Sequence, residues 1–112
     1  MLEAGTIVLI PFPYSDLSNA KKRPVLMLIQ PDAQGDFVDM PLTTKQQPRP
    51  ALPIGAGNLA VSGVLVANSW VKTDTVFSLC ATQVVKVLGC VAEAERSYCV
   101  QHLCAYLSQG QP

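Results

Sequence analysis

The chain has 112 residues, of which 49% are hydrophobic and 14% charged, and its formal net charge is zero. That length allows one domain, predicted to span residues 1–112, with a single modest core. Zero net charge excludes attraction of nucleic acid by the overall field, so any such affinity must come from a local patch. So much apolar surface on a short chain indicates that some is buried against another chain, most simply a second copy.

The N-terminal half is predicted to contain strands joined by a polar loop. Apolar, β-branched or alternating runs predict three strands, over residues 6–10, 25–29 and 37–43. Pro11 and Pro13 should end the first strand, because proline donates no ladder hydrogen bond. Residues 15–22 are then expected to form a loop, and the continuously apolar second strand should be covered on both faces.

The third predicted strand alternates in polarity. Val38, Met40 and Leu42 should share one face, with Asp39 and Thr43 on the other. Thr43 therefore ends this strand on the face predicted to lie away from the core.

The C-terminal half is predicted to contain further short strands and one closing helix. A proline-rich loop is expected over residues 44–53. Strands are predicted for residues 64–67, 76–80 and 84–88. The last segment recurs at the helical spacing of three and four, at Cys99, Val100, Leu103, Tyr106 and Leu107. These elements predict an α+β, mostly β protein, a small antiparallel barrel with a C-terminal α-helix.

Several features place the chain in a reducing, aqueous compartment. The N-terminus lacks the pattern of a signal peptide, since Glu3 stands where a cation is expected and prolines interrupt the apolar run. No stretch approaches the roughly 20 apolar residues of a membrane span. A soluble, cytoplasmic protein is therefore expected. Four cysteines without a C-x-x-C pair are predicted to be free, buried thiols: Cys80, Cys90, Cys99 and Cys104.

Most common catalytic motifs are missing from the sequence. There is no Walker loop, dinucleotide fingerprint, zinc-protease motif or nucleophile elbow. The single histidine, His102, falls in the predicted helix and is interpreted as a structural or surface residue. No set of metal ligands has workable spacing, so metal or triad hydrolysis is disfavoured.

The remaining candidates for chemistry are cations and hydroxyls near strand ends. Arg23 precedes Pro24, which restricts Arg23 to an extended backbone and so fixes the origin of its guanidinium. The planar guanidinium group can donate two parallel hydrogen bonds to phosphate oxygens, and Lys21 and Lys22 strengthen the positive field around it. From this pattern alone, a solvated basic loop is an equal alternative. The Thr43 hydroxyl and the backbone amides of the following turn could hold a phosphate, but on this pattern alone an ordinary strand-end residue is the favoured interpretation of Thr43.

Three segments of the sequence together resemble a known family. They read GTIVLIPFPYSDLSNAKKRPVLML, DMPLTTK and VVKVLGCVAEAE, in that order along essentially the whole chain. This pattern is similar to the MazF/PemK family of toxin endoribonucleases. The resemblance implies an SH3-like barrel of the MazF/PemK/CcdB type, usually a homodimer. It also implies cleavage of single-stranded RNA without a metal or other cofactor, blocked by a cognate antitoxin.

The resemblance also implies roles for particular residues. The family's catalytic arginine and threonine fall on Arg23 and Thr43. Residues expected to bind the substrate are Asp16, Lys21, Lys22, Thr44, Lys45, Arg49, Trp70 and Lys72. The two loops expected to form the RNA groove are residues 16–22 and 45–53.

The implied reaction is an internal transesterification, in which the ribose 2′-hydroxyl attacks phosphorus and leaves a cyclic phosphate. Arg23 would clamp the non-bridging oxygens and Thr43 would donate to one of them. The general base stays open: Asp16 and Asp39 are candidates, although both are interpreted as ordinary solvated acids. Two alternatives are a barrel that inhibits a protein such as DNA gyrase and a plain nucleic-acid-binding barrel.

Overall fold

Nine β-strands and one α-helix make up most of residues 2–12, 21–46 and 51–109, which the computed structural model describes. The strands are β1 (Thr6–Phe12), β2 (Lys21–Met27), β3 (Asp36–Thr43), β4 (Ala51–Ile54), β5 (Gly57–Asn58), β6 (Ser62–Leu65), β7 (Ser69–Lys72), β8 (Phe77–Cys80) and β9 (Lys86–Cys90). A short 3-10 helix (Ala81–Gln83) separates β8 from β9, and the helix α1 (Glu93–Ser108) follows. Asp16 and Arg49 lie outside the described residues.

The sheet is antiparallel throughout and strongly curled. Its strand order is β4-β7-β3-β2-β1-β9-β6-β5, and β8 pairs with the first half of β3. β4 and β5 stand at opposite ends of this order, yet only Gly55 and Ala56 separate them along the chain. Because two residues span only about 7–10 Å, the sheet must curl until its ends meet. The predicted mostly-β antiparallel barrel with a C-terminal helix is confirmed.

The sheet is buried on both faces. The inner face and the helix share one core that includes Leu26, Met40, Val71 and Cys99. The other face of the same strands carries a second cluster, formed by Val8, Ile10, Val25, Met27 and Phe37. β2 contributes to both clusters, which agrees with the prediction of a central strand covered on both faces.

β1 and β2 both extend beyond their predicted ends. β1 runs through Pro11 to Phe12, and these residues pair with Lys22 and Lys21 of β2. β9 pairs with β1 only as far as Leu9. Beyond that point one edge of β1 has no strand partner among the described residues, and such an edge tolerates a residue without an N–H. The prediction of a loop through Lys21 and Lys22 is wrong, because both lysines belong to a strand.

The proline-rich segment before residue 54 also contains a strand. β4 was predicted as loop, but it pairs with β7, with Leu52 opposite Val71 and Pro53 opposite Trp70. β4 is the first strand in the sheet order, so one of its edges has no strand partner among the described residues. An edge position is where a strand accommodates proline.

The close pairing of β6 with β9 depends on two glycines. Gly63 pairs with Gly89, and a Cβ built on Gly63 would overlap the carbonyl oxygen of Leu88. Gly63 also has φ of +84°, which side chains rarely adopt. This position therefore requires glycine for two independent reasons.

The helix packs on the inner core through its N-terminal half. Cys99 is completely buried, and Arg96 donates from Nη1 to the carbonyl oxygen of Leu28 at 2.9 Å. Tyr106 and Leu107, in the C-terminal half of the helix, are exposed. The described part of the chain contains no helix that is both long and apolar enough to cross a membrane.

All four cysteines are free thiols, but the predicted burial holds only for Cys90 and Cys99, because Cys80 is half-buried and Cys104 is exposed. Cys99 is the most deeply buried of them. Burial, with a smaller effect of the Glu95 carboxylate, raises the pKa of the Cys99 thiol to about 11. At neutral pH this thiol is protonated, which is the state expected of a core cysteine.

Candidate active site

The register between β2 and β3 brings the two predicted catalytic residues together. Val25 pairs with Pro41, and Met27 with Asp39, in an antiparallel ladder. This ladder ends at Val25 and Pro41, so Arg23 and Thr43 lie two residues beyond it, at the same end of two adjacent strands.

Arg23 and Thr43 also line one cavity of about 310 Å³ at the ends of these strands. We call it the cationic cavity, and its lining residues are Lys21, Lys22, Arg23, Pro24, Leu42, Thr43, Thr44, Lys45 and Ser69. Four of them are cations and none is an acid. This local excess of cations attracts anions although the chain as a whole is neutral.

The position of Arg23 is set by its neighbours in the sheet. Arg23 pairs with Ile10 of β1, and Pro24 pairs with Leu9. The side chain is partly buried, in contrast to the exposed Lys21 and Lys22. A partly desolvated guanidinium interacts more strongly with an anion than one in bulk water. It also does not deprotonate in proteins, so it can stabilise charge but is poorly suited to proton transfer.

The hydroxyl of Thr43 is oriented by the turn that follows β3. The backbone N–H of Lys45 donates to Thr43 Oγ1 at 3.2 Å. Because the oxygen accepts this bond, the hydroxyl proton is available for donation to an anion in the cavity. The same bond occupies the Lys45 amide, which the sequence had offered as a possible phosphate ligand.

Trp70 and Lys72 lie beside the cavity on β7. Trp70 pairs directly with Thr43, so its indole is a cross-strand neighbour of the threonine. Lys72 is two residues further along the same face, since Ser69 and Val71 point into the protein. Neither Trp70 nor Lys72 lines the cationic cavity itself.

Ser69 is the lining residue that sequence reasoning missed. It is buried, and its hydroxyl donates to the carbonyl oxygen of Ala67 at 3.0 Å. Nothing in the sequence distinguishes Ser69 from other serines, because its place at the cavity follows from the pairing of β7 with β3.

Asp39 is not the solvated acid that the sequence suggested. It shares the face of Thr43, but its side chain is 0% exposed between Met27 and Phe77, its partners on the neighbouring strands. Neither carboxylate oxygen has a hydrogen-bond partner within the described ranges. Burial raises the pKa of Asp39 from about 3.8 to about 7. Asp39 does not line the cationic cavity, so it cannot reach a ribose bound there.

His102 and the other potential metal ligands lie away from this cavity. The His102 ring packs on Tyr98 with centroids 4.0 Å apart, within α1. Across residues 2–12, 21–46 and 51–109, no three side chains of histidine, cysteine, aspartate or glutamate are grouped to hold a metal ion.

Together, the fold and the site define a small curled antiparallel barrel with an anion-binding cavity at its strand ends. The family model described as "PemK-like, MazF-like toxin of type II toxin-antitoxin system" matches residues 3–107. The chain therefore belongs to this family of toxins. No curated protein matches the sequence.

Three solved structures of similar fold are mycobacterial proteins. An endoribonuclease from a mycobacterial species, solved in complex with its cognate antitoxin, has a TM-score of 0.72 at 19% identity, with 100% of both chains covered. Another mycobacterial endoribonuclease has a TM-score of 0.67 at 19% identity, covering 98% of this chain and 94% of that one. The Mycobacterium tuberculosis toxin MazF-mt6 has a TM-score of 0.69 at 18% identity, with 92% and 96% covered.

Proposed function

We propose that this toxin is a metal-independent endoribonuclease that cleaves single-stranded RNA at specific short sequences. The observation that carries the proposal is that Arg23 and Thr43 line the same cationic cavity. Membership of the MazF-like toxin family and the endoribonuclease descriptions of the structural neighbours support it.

The proposed reaction uses the RNA's own nucleophile. The ribose 2′-oxygen forms a bond to the adjacent phosphorus, and the bond from phosphorus to the 5′-oxygen breaks. The 2′-hydroxyl loses a proton and the departing 5′-oxygen gains one, giving a 2′,3′-cyclic phosphate and a 5′-hydroxyl. The attack is intramolecular, so the protein must chiefly fix the geometry and stabilise the charge on the phosphorane oxygens.

The cationic cavity supplies this stabilisation. The Arg23 fork binds two non-bridging oxygens, and the Thr43 hydroxyl donates to one of them. Removing one such donor typically lowers kcat by about 100- to 1000-fold. The described lining residues offer no carboxylate or imidazole to accept the 2′-proton. Electrostatic stabilisation is therefore the main contribution of these residues.

The lysines around Arg23 hold the RNA backbone without choosing a sequence. Lys21, Lys22 and Lys45 surround Arg23 in the cavity, and Lys72 lies beyond Trp70. We include Asp16 and Arg49 among the substrate contacts on the family resemblance, since both lie outside the described residues.

A cleavage assay in excess EDTA tests the proposal. The wild type should cut a long single-stranded RNA at discrete positions, and Arg23→Ala should lose this activity. Lys86→Ala is the matched control, since it also removes a cation, but on exposed β9 outside the cavity. Uncut RNA with the wild type, or equal cutting by Arg23→Ala, would refute the proposal.

We also propose that the protein is cytoplasmic, that it forms a homodimer and that a cognate antitoxin binds it. One structural neighbour was solved with its antitoxin. Val61, Val85 and Val87 are exposed on or near neighbouring strands, which supports burial against another copy. Inhibition of DNA gyrase is not favoured, since a protein-binding toxin needs no cavity that combines an arginine and a threonine.

A further inference from the structure

Asp39 carries the only acidic or basic side chain that is fully buried among the described residues. Neither of its oxygens has a hydrogen-bond partner within those residues. A buried carboxylate is costly unless it is paired or hydrogen-bonded, and otherwise it takes up a proton. The enclosed state of Asp39 therefore favours the neutral acid, and ionisation of Asp39 opposes the packing that encloses it.

Apolar residues from several elements surround this carboxyl group. Asp39 lies on the same side of β3 as Phe37, so it faces the second cluster, which also contains residues of β1 and β2. The residues that pack against this cluster from other segments are Leu2, Leu79 and Val84. β1 contains no ionisable residue, and Glu3, beside Leu2, is exposed. These surroundings offer no cation to an ionised Asp39.

The titratable groups of the adjacent strands are distant from Asp39 or lie on the other face of the sheet. On β2, Arg23 is four strand residues, or about 13 Å, from the Met27 that pairs with Asp39. Asp36 of β3 and Cys80 of β8 alternate with residues that join the second cluster, so they lie on the opposite face.

The remaining charged groups nearby are also directed elsewhere. Lys21 and Lys22 lie beyond Arg23 on β2, and Lys86 of β9 is exposed. Asp74, in the turn before β8, lines a separate cavity with α1. Burial is accordingly the one cause that raises the pKa of Asp39, to about 7.

β8 is the part of this enclosure that is held by the fewest neighbours. It has four residues and pairs only with β3, off the main path of the sheet. β2, on the other side of Asp39, lies between two strands in the middle of the sheet. Phe77, which pairs with Asp39, is 37% exposed. Short segments with few buried contacts open at a lower free energy than the core does.

Hydrogen bonds at both ends of β8 mark where such an opening would stop. Before the strand, the Thr75 N–H donates to the carbonyl oxygen of Lys72 at 3.2 Å. After it, the Ala81 N–H donates to the carbonyl oxygen of Gly35 at 2.7 Å. β8 can therefore separate from β3 between these two points while the rest of the sheet stays paired.

We propose that β8 is a pH-dependent flap, which closes on β3 while Asp39 is protonated and separates from β3 when Asp39 ionises. Separation gives water access to the carboxylate and frees the edge of β3 from Asp36 to Asp39. The inference does not depend on the proposed endoribonuclease function. It links pH to the strand whose other end carries Thr43.

Hydrogen exchange of the backbone amides, followed by NMR, tests the flap in the intact protein. The opening constant of the amides paired between β8 and β3 should rise by about 100-fold from pH 5 to pH 8. This factor follows if Asp39 has its ordinary pKa of 3.8 in the open form and a pKa of about 7 in the closed form. Intrinsic exchange rates, which also depend on pH, are divided out of the opening constant.

Urea separates a local opening from global unfolding. The amides of β8 should exchange with little urea dependence, and more readily at each pH than those of Val8 and Val25 in the second cluster. Equal opening constants and equal urea dependence for the two sets of amides would overturn the flap, because only global unfolding would then expose Asp39.

Matched variants test the role of Asp39 itself. In Asp39→Asn the opening of β8 should be independent of pH, whereas Asp36→Asn removes an exposed acid from the same strand and should behave as the wild type. Asp39→Val, which also cannot ionise, replaces Asp39→Asn if circular dichroism shows that the asparagine variant does not fold. A wild type without pH dependence, or variants that keep it, would overturn the assignment to Asp39.

Discussion

Replacing Asp39 by asparagine should stabilise the protein at neutral and alkaline pH. The carboxyl group is fully buried between Met27 and Phe77, and within the described ranges no group hydrogen-bonds to it. Its desolvation favours the protonated form. Asparagine has nearly the same shape and cannot ionise, so Asp39→Asn removes the cost of a buried negative charge.

The size of this effect follows from the pKa difference between the folded and unfolded states. Burial raises the pKa of Asp39 from 3.8 to about 7 in the folded protein, and each unit corresponds to 1.36 kcal/mol, so the effect approaches about 4 kcal/mol. Below pH 3.8 both states are protonated and the stability is fully present. As pH rises to about 7 only the unfolded state ionises, so the free energy of unfolding falls, and above pH 7 the loss is complete.

Urea unfolding between pH 4.5 and 8.5, followed by the fluorescence of Trp70, measures this difference. The free energy of unfolding of Asp39→Asn, minus that of the wild type, should increase with pH and level off above pH 7. Asp36→Asn is the control, because it removes an exposed acid from the same strand and should give a nearly flat difference. Equal pH dependence of Asp39→Asn and the wild type would refute the argument from burial.

Three other outcomes follow from the site and the fold. Thr43→Val should lower single-turnover cleavage by about 100-fold with little change in RNA affinity, because it removes one donor to the transition state; a loss confined to affinity would contradict this. Lys45→Ala should reduce the slope of log K against log salt by about 0.7, as expected for one phosphate contact to single-stranded RNA, and an unchanged slope would exclude the contact. Gly63→Ala should lower the free energy of unfolding by about 2 kcal/mol more than Gly57→Ala. Both glycines have positive φ, but only at Gly63 would the added Cβ clash with backbone atoms. Equal chemical denaturation midpoints of the two variants would contradict the clash.

Local sequence patterns were sufficient to predict the barrel and the central strand. Continuous apolar residues predicted that β2 is covered on both faces, and its residues do join both hydrophobic clusters. Alternation also separated Met40 from Asp39 across β3. These features depend on the periodicity of apolar and polar side chains, which can be read directly from the sequence.

Features that depend on which strands pair could not be predicted in the same way. Pro11 and Pro53 suggested loops, but both lie in strands. At each of these positions one edge of the strand has no partner among the described residues. The burial of Asp39 results from the pairing of β8 with β3, which places Phe77 beside it. Single-strand alternation indicates two faces but does not say whether the second face is also covered.

The catalytic pair was predicted from the family resemblance, and the structure adds its geometry. The sequence alone left Arg23 with even odds of being a solvated basic residue. In the structure Arg23 and Thr43 line the same cationic cavity. Their roles in catalysis stay a prediction until activity is measured.

The chemistry of the RNA ends tests the central claim most directly. RNA cleaved by the wild type in EDTA should carry a 2′,3′-cyclic phosphate and a 5′-hydroxyl. The same RNA with a single 2′-deoxyribose at the cut position should stay intact at that position. Cleavage of the deoxy-substituted site, or 5′-phosphate ends, would contradict an internal transesterification stabilised by Arg23 and Thr43.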